Sequence, residues 1–212
     1  MTAQKYLKRL GGFTLVELLI VIAILAIIAL IVIAAINPIE QANRARDTGQ
    51  KADASQFLSA NDRYFAAKSE FAWVTVDNVG GGSATNDDAF GYITIDDATV
   101  GLCATSGDCA SDPGLLITQQ ELKPEFGNRR FVDAANVSDR MFMGKADQEQ
   151  SVYVCYIPMA KSNRAKACED QKVYTLAGLG VRSQIVCDPA AEPQWVGANL
   201  DGTDSYFVCV PE

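Results

Sequence analysis

Histidine is absent from all 212 residues. That removes the Ser-His-Asp and Cys-His arrangements of nucleophilic catalysis and any catalytic metal held by imidazole. No two cysteines stand in C-x-x-C spacing, so a zinc site lacks both of its usual ligand patterns. Basic charge is scarce as well, with 18 Lys+Arg against 26 Asp+Glu and a formal net charge of −8. Lys5, Lys8 and Arg9 lie in the first 12 positions with no acid among them, so residues 13–212 carry 15 basic and 26 acidic side chains, or −11. That sign argues against nucleic acid as a direct partner, and Lys161, Arg164 and Lys166 read as a solvated loop cluster. Proline and glycine are missing from residues 13–36, and no internal repeat is visible. Acidic pairs are plentiful but sit in no catalytic motif. The chain reads as non-enzymatic, with no cofactor and no metal ligand set.

Against those absences stands one long apolar run. From Leu18 to Ile36 there are 19 residues without a charge or a strongly polar group. As a helix they rise about 28 Å, close to the hydrocarbon thickness of a bilayer. The basic residues before the run keep the N-terminus cytoplasmic and send the chain beyond Ile36 across the membrane. Glu17 lies just inside the apolar end, where a carboxylate is costly and calls for a partner. A secretory signal peptide has a shorter apolar core, about 7–15 residues, and ends in an A-x-A-like site. Here the run is longer, and Ala34-Ala35 lacks that spacing. A plain single-pass anchor with an external binding domain remains an alternative on hydropathy.

The order basic leader, Gly11-Gly12, Phe13-Thr14-Leu15-Val16-Glu17, apolar helix resembles the class III signal of type IV prepilins and pseudopilins. The resemblance covers residues 1 to about 36. It implies cleavage after Gly12 by a membrane-bound prepilin peptidase, N-methylation of Phe13, and assembly of many copies into a helical filament. In that setting the new Phe13 amine of one subunit meets Glu17 of another, and the cost of leaving either unpaired sets the stagger between subunits. The implied partners are further copies of the chain, the peptidase, an assembly platform with its cytoplasmic motor, and membrane lipid before assembly. The implied location is the cytoplasmic membrane, and after assembly an extracellular pilus or a periplasmic pseudopilus. Many relatives carry a helix breaker inside the membrane segment. Here the nearest are Pro38 and Gly49.

All six cysteines, Cys103, Cys109, Cys155, Cys168, Cys187 and Cys209, come after the apolar run, so they read as disulfides in an oxidising compartment. Six cysteines allow fifteen connectivities. Short separations close most easily, which favours Cys103–Cys109, Cys155–Cys168 and Cys187–Cys209.

The chain reads as four segments: a leader over 1–12, a filament-core helix over 13–36, an amphipathic continuation over 37–68, and a β-rich disulfide-stapled domain over 69–212. Asn37-Pro38 should kink the helix or restart it. Ile39, Ala42, Ala45, Ala52, Leu58 and Phe65 trace an apolar stripe expected to lie on the domain. Beyond it, strands are expected over Phe71–Val76, Gly91–Ile95, Ser151–Ile157, Val173–Leu176, Ser183–Cys187 and Ser205–Val210, with a helical turn near Gln119–Lys123. The fold class is α+β, a long N-terminal helix packed on an antiparallel sheet. Asn199, Asp201 and Asp204 around Gly202 form an oxygen-rich turn that could take calcium, but the string lacks the terminal glutamate of an EF-hand, and a solvated turn is the favoured reading. The function expected is a structural subunit of a type IV pilus serving adhesion, motility or DNA uptake. The alternatives are a type II secretion pseudopilin or a non-polymerising anchored domain.

Overall fold

A computed structural model describes residues 12–35, 37–80, 85–88, 90–146, 151–176, 181–187, 195 and 205–211. The chain divides into a unit over residues 1–41 and a unit over residues 42–212.

The first unit is dominated by α1, Leu15–Ala35. Its Leu, Ile, Val and Ala side chains are unbroken by proline or glycine, and the span Leu15–Ile33 has a mean hydropathy of 3.4. Every residue from Gly12 to Ile33 is exposed within the chain. A helix apolar on all sides with nothing covering it belongs in lipid or among other helices. At Asn37-Pro38 the helix restarts as α2, Pro38–Lys68. Pro38 takes the first helical position, where its missing N–H costs nothing, and the side-chain carbonyl of Asn37 accepts the Glu40 N–H at 3.2 Å.

In the second unit α2 lies against a four-stranded antiparallel sheet of order β1-β2-β3-β6, formed by Phe90–Thr94, Met141–Lys145, Val152–Tyr156 and Val208–Val210. The face of α2 that is buried runs through Asp47, Gln50, Ala54, Phe57, Ala60, Asn61 and Tyr64. This corrects the stripe expected from composition: Ile39, Ala42, Ala45, Ala52 and Phe65 are not buried, and Leu58 is half-buried. The true face begins with polar residues because it makes hydrogen bonds there, which hydropathy cannot register.

The sheet has a core on each side. Met141, Met143, Val152, Val154 and Tyr156 join Phe57, Phe126 and Phe131 on the α2 side. Phe142 and Cys155 join Ile157, Val173, Phe207 and Cys209 on the other. All five residues of β2 are therefore buried. At about 1.5–3 kcal/mol per fully buried large apolar side chain, these two clusters carry most of the favourable free energy of the domain.

Three expectations are revised. Residues Phe71–Val76 do not form a strand: α3 covers Ala72–Gly80. Its β-prone residues are overruled by packing, since Phe71, Ala72, Trp73 and Val74 are all buried and the Phe71 and Trp73 rings stack with centroids 4.2 Å apart. Gly101 makes room for this helix: its φ is +87°, and a Cβ there would meet the Ala72 Cβ at 3.0 Å. The helical turn near 119–123 falls earlier, as α4 over Leu115–Thr118, and Pro124 opens a 3-10 turn over Pro124–Asn128. The basic cluster is not a loop, because Lys161, Arg164 and Lys166 lie on α5, Lys161–Glu169. The remaining strands are β4, Tyr174–Leu176, and β5, Arg182–Gln184, which pair as a small hairpin. The architecture is α+β, with a long apolar N-terminal helix, an antiparallel sheet and three disulfides.

Candidate functional site

Gly12, Phe13 and Thr14 are not helical, and α1 begins at Leu15. The Gly12–Phe13 peptide therefore lies outside the helix, with Phe13 83% exposed. Thr14 and Glu17 explain this start. The Glu17 carboxylate accepts the Thr14 backbone N–H and the Thr14 hydroxyl, each at 2.9 Å, and the Thr14 hydroxyl accepts the Glu17 N–H at 3.2 Å. That is a reciprocal capping box, spelled in the sequence as Thr14-Leu15-Val16-Glu17. Reading Glu17 only as a charge leaves this local signal unused. In the full chain the Phe13 nitrogen is a peptide N–H, and the Glu17 carboxylate accepts from Thr14.

The six cysteines form three disulfides, and one of the pairs expected from spacing is present, Cys103–Cys109. The other two differ: Cys155 joins Cys209 and Cys168 joins Cys187. The sheet decides this. β3 and β6 are antiparallel neighbours in a register that sets Cys155 opposite Cys209. Between these two strands in the sequence, α5 carries Cys168, which joins Cys187 in the segment after β5.

A second set of polar residues fastens α2 to the domain. The Asp47 carboxylate accepts the Met159 N–H at 2.8 Å, the Ala160 N–H at 2.9 Å and the Asn163 amide at 2.8 Å. It caps α5, whose own N-cap residue, Ala160, has no side chain able to do so. Beside it, Arg46 donates to the Ser138 carbonyl and pairs with Asp139 at 3.0 Å, while Arg130 also reaches Asp139 at 3.0 Å. Two segments far along the chain thus grip the same stretch of α2. None of these contacts is readable from the sequence, because the partners lie on elements whose positions the sequence alone does not give.

The β4–β5 hairpin is held against the main sheet by Arg182, whose guanidinium lies 3.6 Å from the Tyr153 ring centroid and 4.8 Å from that of Tyr174. Among the described residues no group of three or more Cys, Asp or Glu side chains is placed to hold a metal ion. Asn199, Asp201 and Asp204 lie outside the described residues.

Compared with known proteins, residues 7–33 match the prokaryotic N-terminal methylation motif. No curated protein and no solved structure matches the chain.

Proposed function

We propose that this chain, which carries the class III signal of type IV pilins and pseudopilins, is a structural subunit of a type IV pilus. The observation that carries the proposal is the methylation motif at residues 7–33, set on a fully exposed apolar helix. A prepilin peptidase cuts after Gly12, and the new Phe13 amine is methylated. Until assembly, α1 is solvated by lipid, with the disulfide-stapled domain outside the cytoplasm. Entry into a filament exchanges lipid contacts for helix–helix packing, and the Phe13 amine of one subunit pairs with Glu17 of another. The three disulfides suit a domain held in an oxidising compartment, whether on the cell surface or in the periplasm.

The test is co-expression with a prepilin peptidase and a pilus assembly system, with filaments then recovered by shearing. The expected result is chain in the sheared filament fraction, with mass spectrometry placing N-methyl-Phe13 at its N-terminus. Chain that keeps its leader beside an active peptidase would defeat the processing step. Mature chain retained wholly in the membrane fraction would defeat the filament. Mature chain incorporated only into a short periplasmic filament would support the pseudopilin reading instead.

A further inference from the structure

We propose that Asn136 is an acceptor for an N-linked oligosaccharide, transferred as the chain emerges on the far side of the membrane. The chain holds nine asparagines, and Asn136-Val137-Ser138 is its one Asn-x-Ser/Thr triplet with a centre other than proline. Such a triplet arises easily by chance. The fold's treatment of it is what distinguishes this one.

The side chains of Asn43, Asn61, Asn86 and Asn163 each hydrogen-bond within the chain. Asn136 is exposed, and its amide makes no hydrogen bond among the described residues. It stands directly before the 3-10 turn Val137–Asp139, where an asparagine side chain ordinarily caps. Asn37 and Asp97 do cap from that position, taking the N–H groups of Glu40 and Thr99. The Asn136 side chain forgoes such a bond and stays in solvent. Asn128 is also exposed and unbonded among the described residues, but Arg129 and Arg130 follow it, so it lacks the hydroxyl of a triplet.

Ser138 completes the acceptor, because an oligosaccharyltransferase reads the hydroxyl two residues after the asparagine. That hydroxyl has no hydrogen-bond partner among the described residues. The backbone carries the structural duty instead. The Ser138 carbonyl accepts from Arg46 and Gln50, the Asn136 carbonyl accepts the Asp139 N–H at 3.0 Å, and Arg140 donates to the Ala134 carbonyl at 2.9 Å. Neither functional group of the triplet is spent on the fold. A glycan on the Asn136 Nδ2 therefore displaces no contact and extends into water.

Timing follows from burial. Val137 is 5% exposed and Ser138 is half-buried, so an enzyme that must seat all three residues meets them before the domain closes. The transfer is a substitution in which Nδ2 attacks the anomeric carbon of an oligosaccharide carried on a polyprenyl pyrophosphate. The C–N bond forms, the C–O bond to the pyrophosphate breaks, and the lipid pyrophosphate leaves as the amide nitrogen gives up one proton. The site requires the domain to lie outside the cytoplasm, as proposed above, and does not require a filament.

The full-length chain is expressed in cells that make polyprenyl-linked oligosaccharide and an oligosaccharyltransferase accepting Asn-x-Ser, then purified from membranes. Mass spectrometry should find the oligosaccharide on the peptide carrying Asn136, and an amidase specific for N-linked glycans should convert that residue to aspartate. Asn136→Gln and Ser138→Ala should each abolish the modification, Ser138→Thr should retain it, and Asn128→Gln should leave it unchanged. A reductant in the growth medium delays disulfide closure and should raise occupancy. Unchanged occupancy would overturn transfer before folding. Chain with all three disulfides formed and no oligosaccharide at Asn136 would overturn the proposal, since the domain has then crossed the membrane unmodified. An oligosaccharide that survives Ser138→Ala would overturn the triplet as the signal. Unmodified chain whose cysteines stay reduced without added reductant would defeat the placement outside the cytoplasm, and this acceptor with it.

Discussion

The Asp47 carboxylate accepts the Ala160 N–H at 2.9 Å across 113 positions of sequence, so the cap of α5 is supplied by α2. Both ends of the contact are buried, Ala160 at 0% and Asp47 at 2% exposure. Removing the carboxylate leaves the buried Ala160 donor, the half-buried Met159 donor and the Asn163 amide without this acceptor. Asp47→Ala should destabilise the domain by about 2–4 kcal/mol, combining a lost cap with unsatisfied buried donors. Asp47→Asn keeps one acceptor oxygen and should cost less. Urea denaturation of the two variants measures the difference, and hydrogen exchange should show residues 158–164 opening first in Asp47→Ala. Protection unchanged there would mean that α5 is held by its packing alone.

The disulfides should differ in both worth and accessibility. Cys155–Cys209 closes a separation of 54 residues and Cys103–Cys109 one of only 6. By loop-closure entropy the first contributes about 4 kcal/mol and the second about 2 kcal/mol. The paired substitution Cys155→Ala with Cys209→Ala should therefore lower stability more than Cys103→Ala with Cys109→Ala. Accessibility runs differently. Cys103, Cys109, Cys155 and Cys209 are at most 1% exposed, while Cys168 and Cys187 are half-buried. Graded reduction with alkylation should label Cys168 and Cys187 first. Earlier labelling of Cys155 would contradict the burial argument.

How much of the fold is legible in the sequence depends on which force wrote each element. The membrane-length helix, its restart at Pro38, and the strands at β1, β3, β4 and β6 emerge from hydropathy and turn residues, because local patterning governs them. Strand β2 escapes that reading. Both of its faces are covered, so Met141–Lys145 shows no alternation, and it includes Gly144 and a buried lysine. The α2 face is misplaced by hydropathy because Asp47 and Gln50 are buried for hydrogen bonding, against every hydropathy rule. Helix α3 reads as a strand because Trp73, Val74, Thr75 and Val76 favour one until packing overrides them. Disulfide pairing by short separation fails at Cys155, where sheet register outweighs sequence distance. At the candidate site, residue order alone singles out Gly12, Phe13 and Glu17. Thr14 stands in plain view as the first member of a capping box, a signal that attention to the Glu17 charge passes over.

Asp53 offers a pH-dependent test. Burial raises its carboxyl above the ordinary 3.8, and the Arg129 guanidinium 3.7 Å away lowers it by less. The folded state therefore holds this proton more tightly than the unfolded chain does. Stability from Asp53 is fully present below about pH 3.8 and is lost as pH rises through the folded value. At neutral pH, Asp53→Asn should be the more stable protein, by under about 1 kcal/mol because the site is partly solvated. The gap should close as pH falls through that window. Denaturation midpoints for both proteins across the acid range check it, and a gap independent of pH would locate the effect in packing instead.

Glu17 has one observed role and one proposed role, and a single substitution pair can separate them. Its carboxylate completes the capping box with Thr14, and in the proposed filament it pairs with a Phe13 amine on another subunit. Glutamine serves in a capping box as glutamate does, but it carries no charge. Alanine removes both. Circular dichroism in micelles should show the start of α1 intact in Glu17→Gln and frayed in Glu17→Ala. If assembly depends on charge pairing, both variants should lose filaments, by roughly tenfold or more, since an amine left unpaired in an apolar bundle costs at least about 1.4 kcal/mol per subunit. Filaments at wild-type levels in Glu17→Gln, with loss only in Glu17→Ala, would assign Glu17 to helix capping and leave the stagger between subunits to side-chain packing along α1.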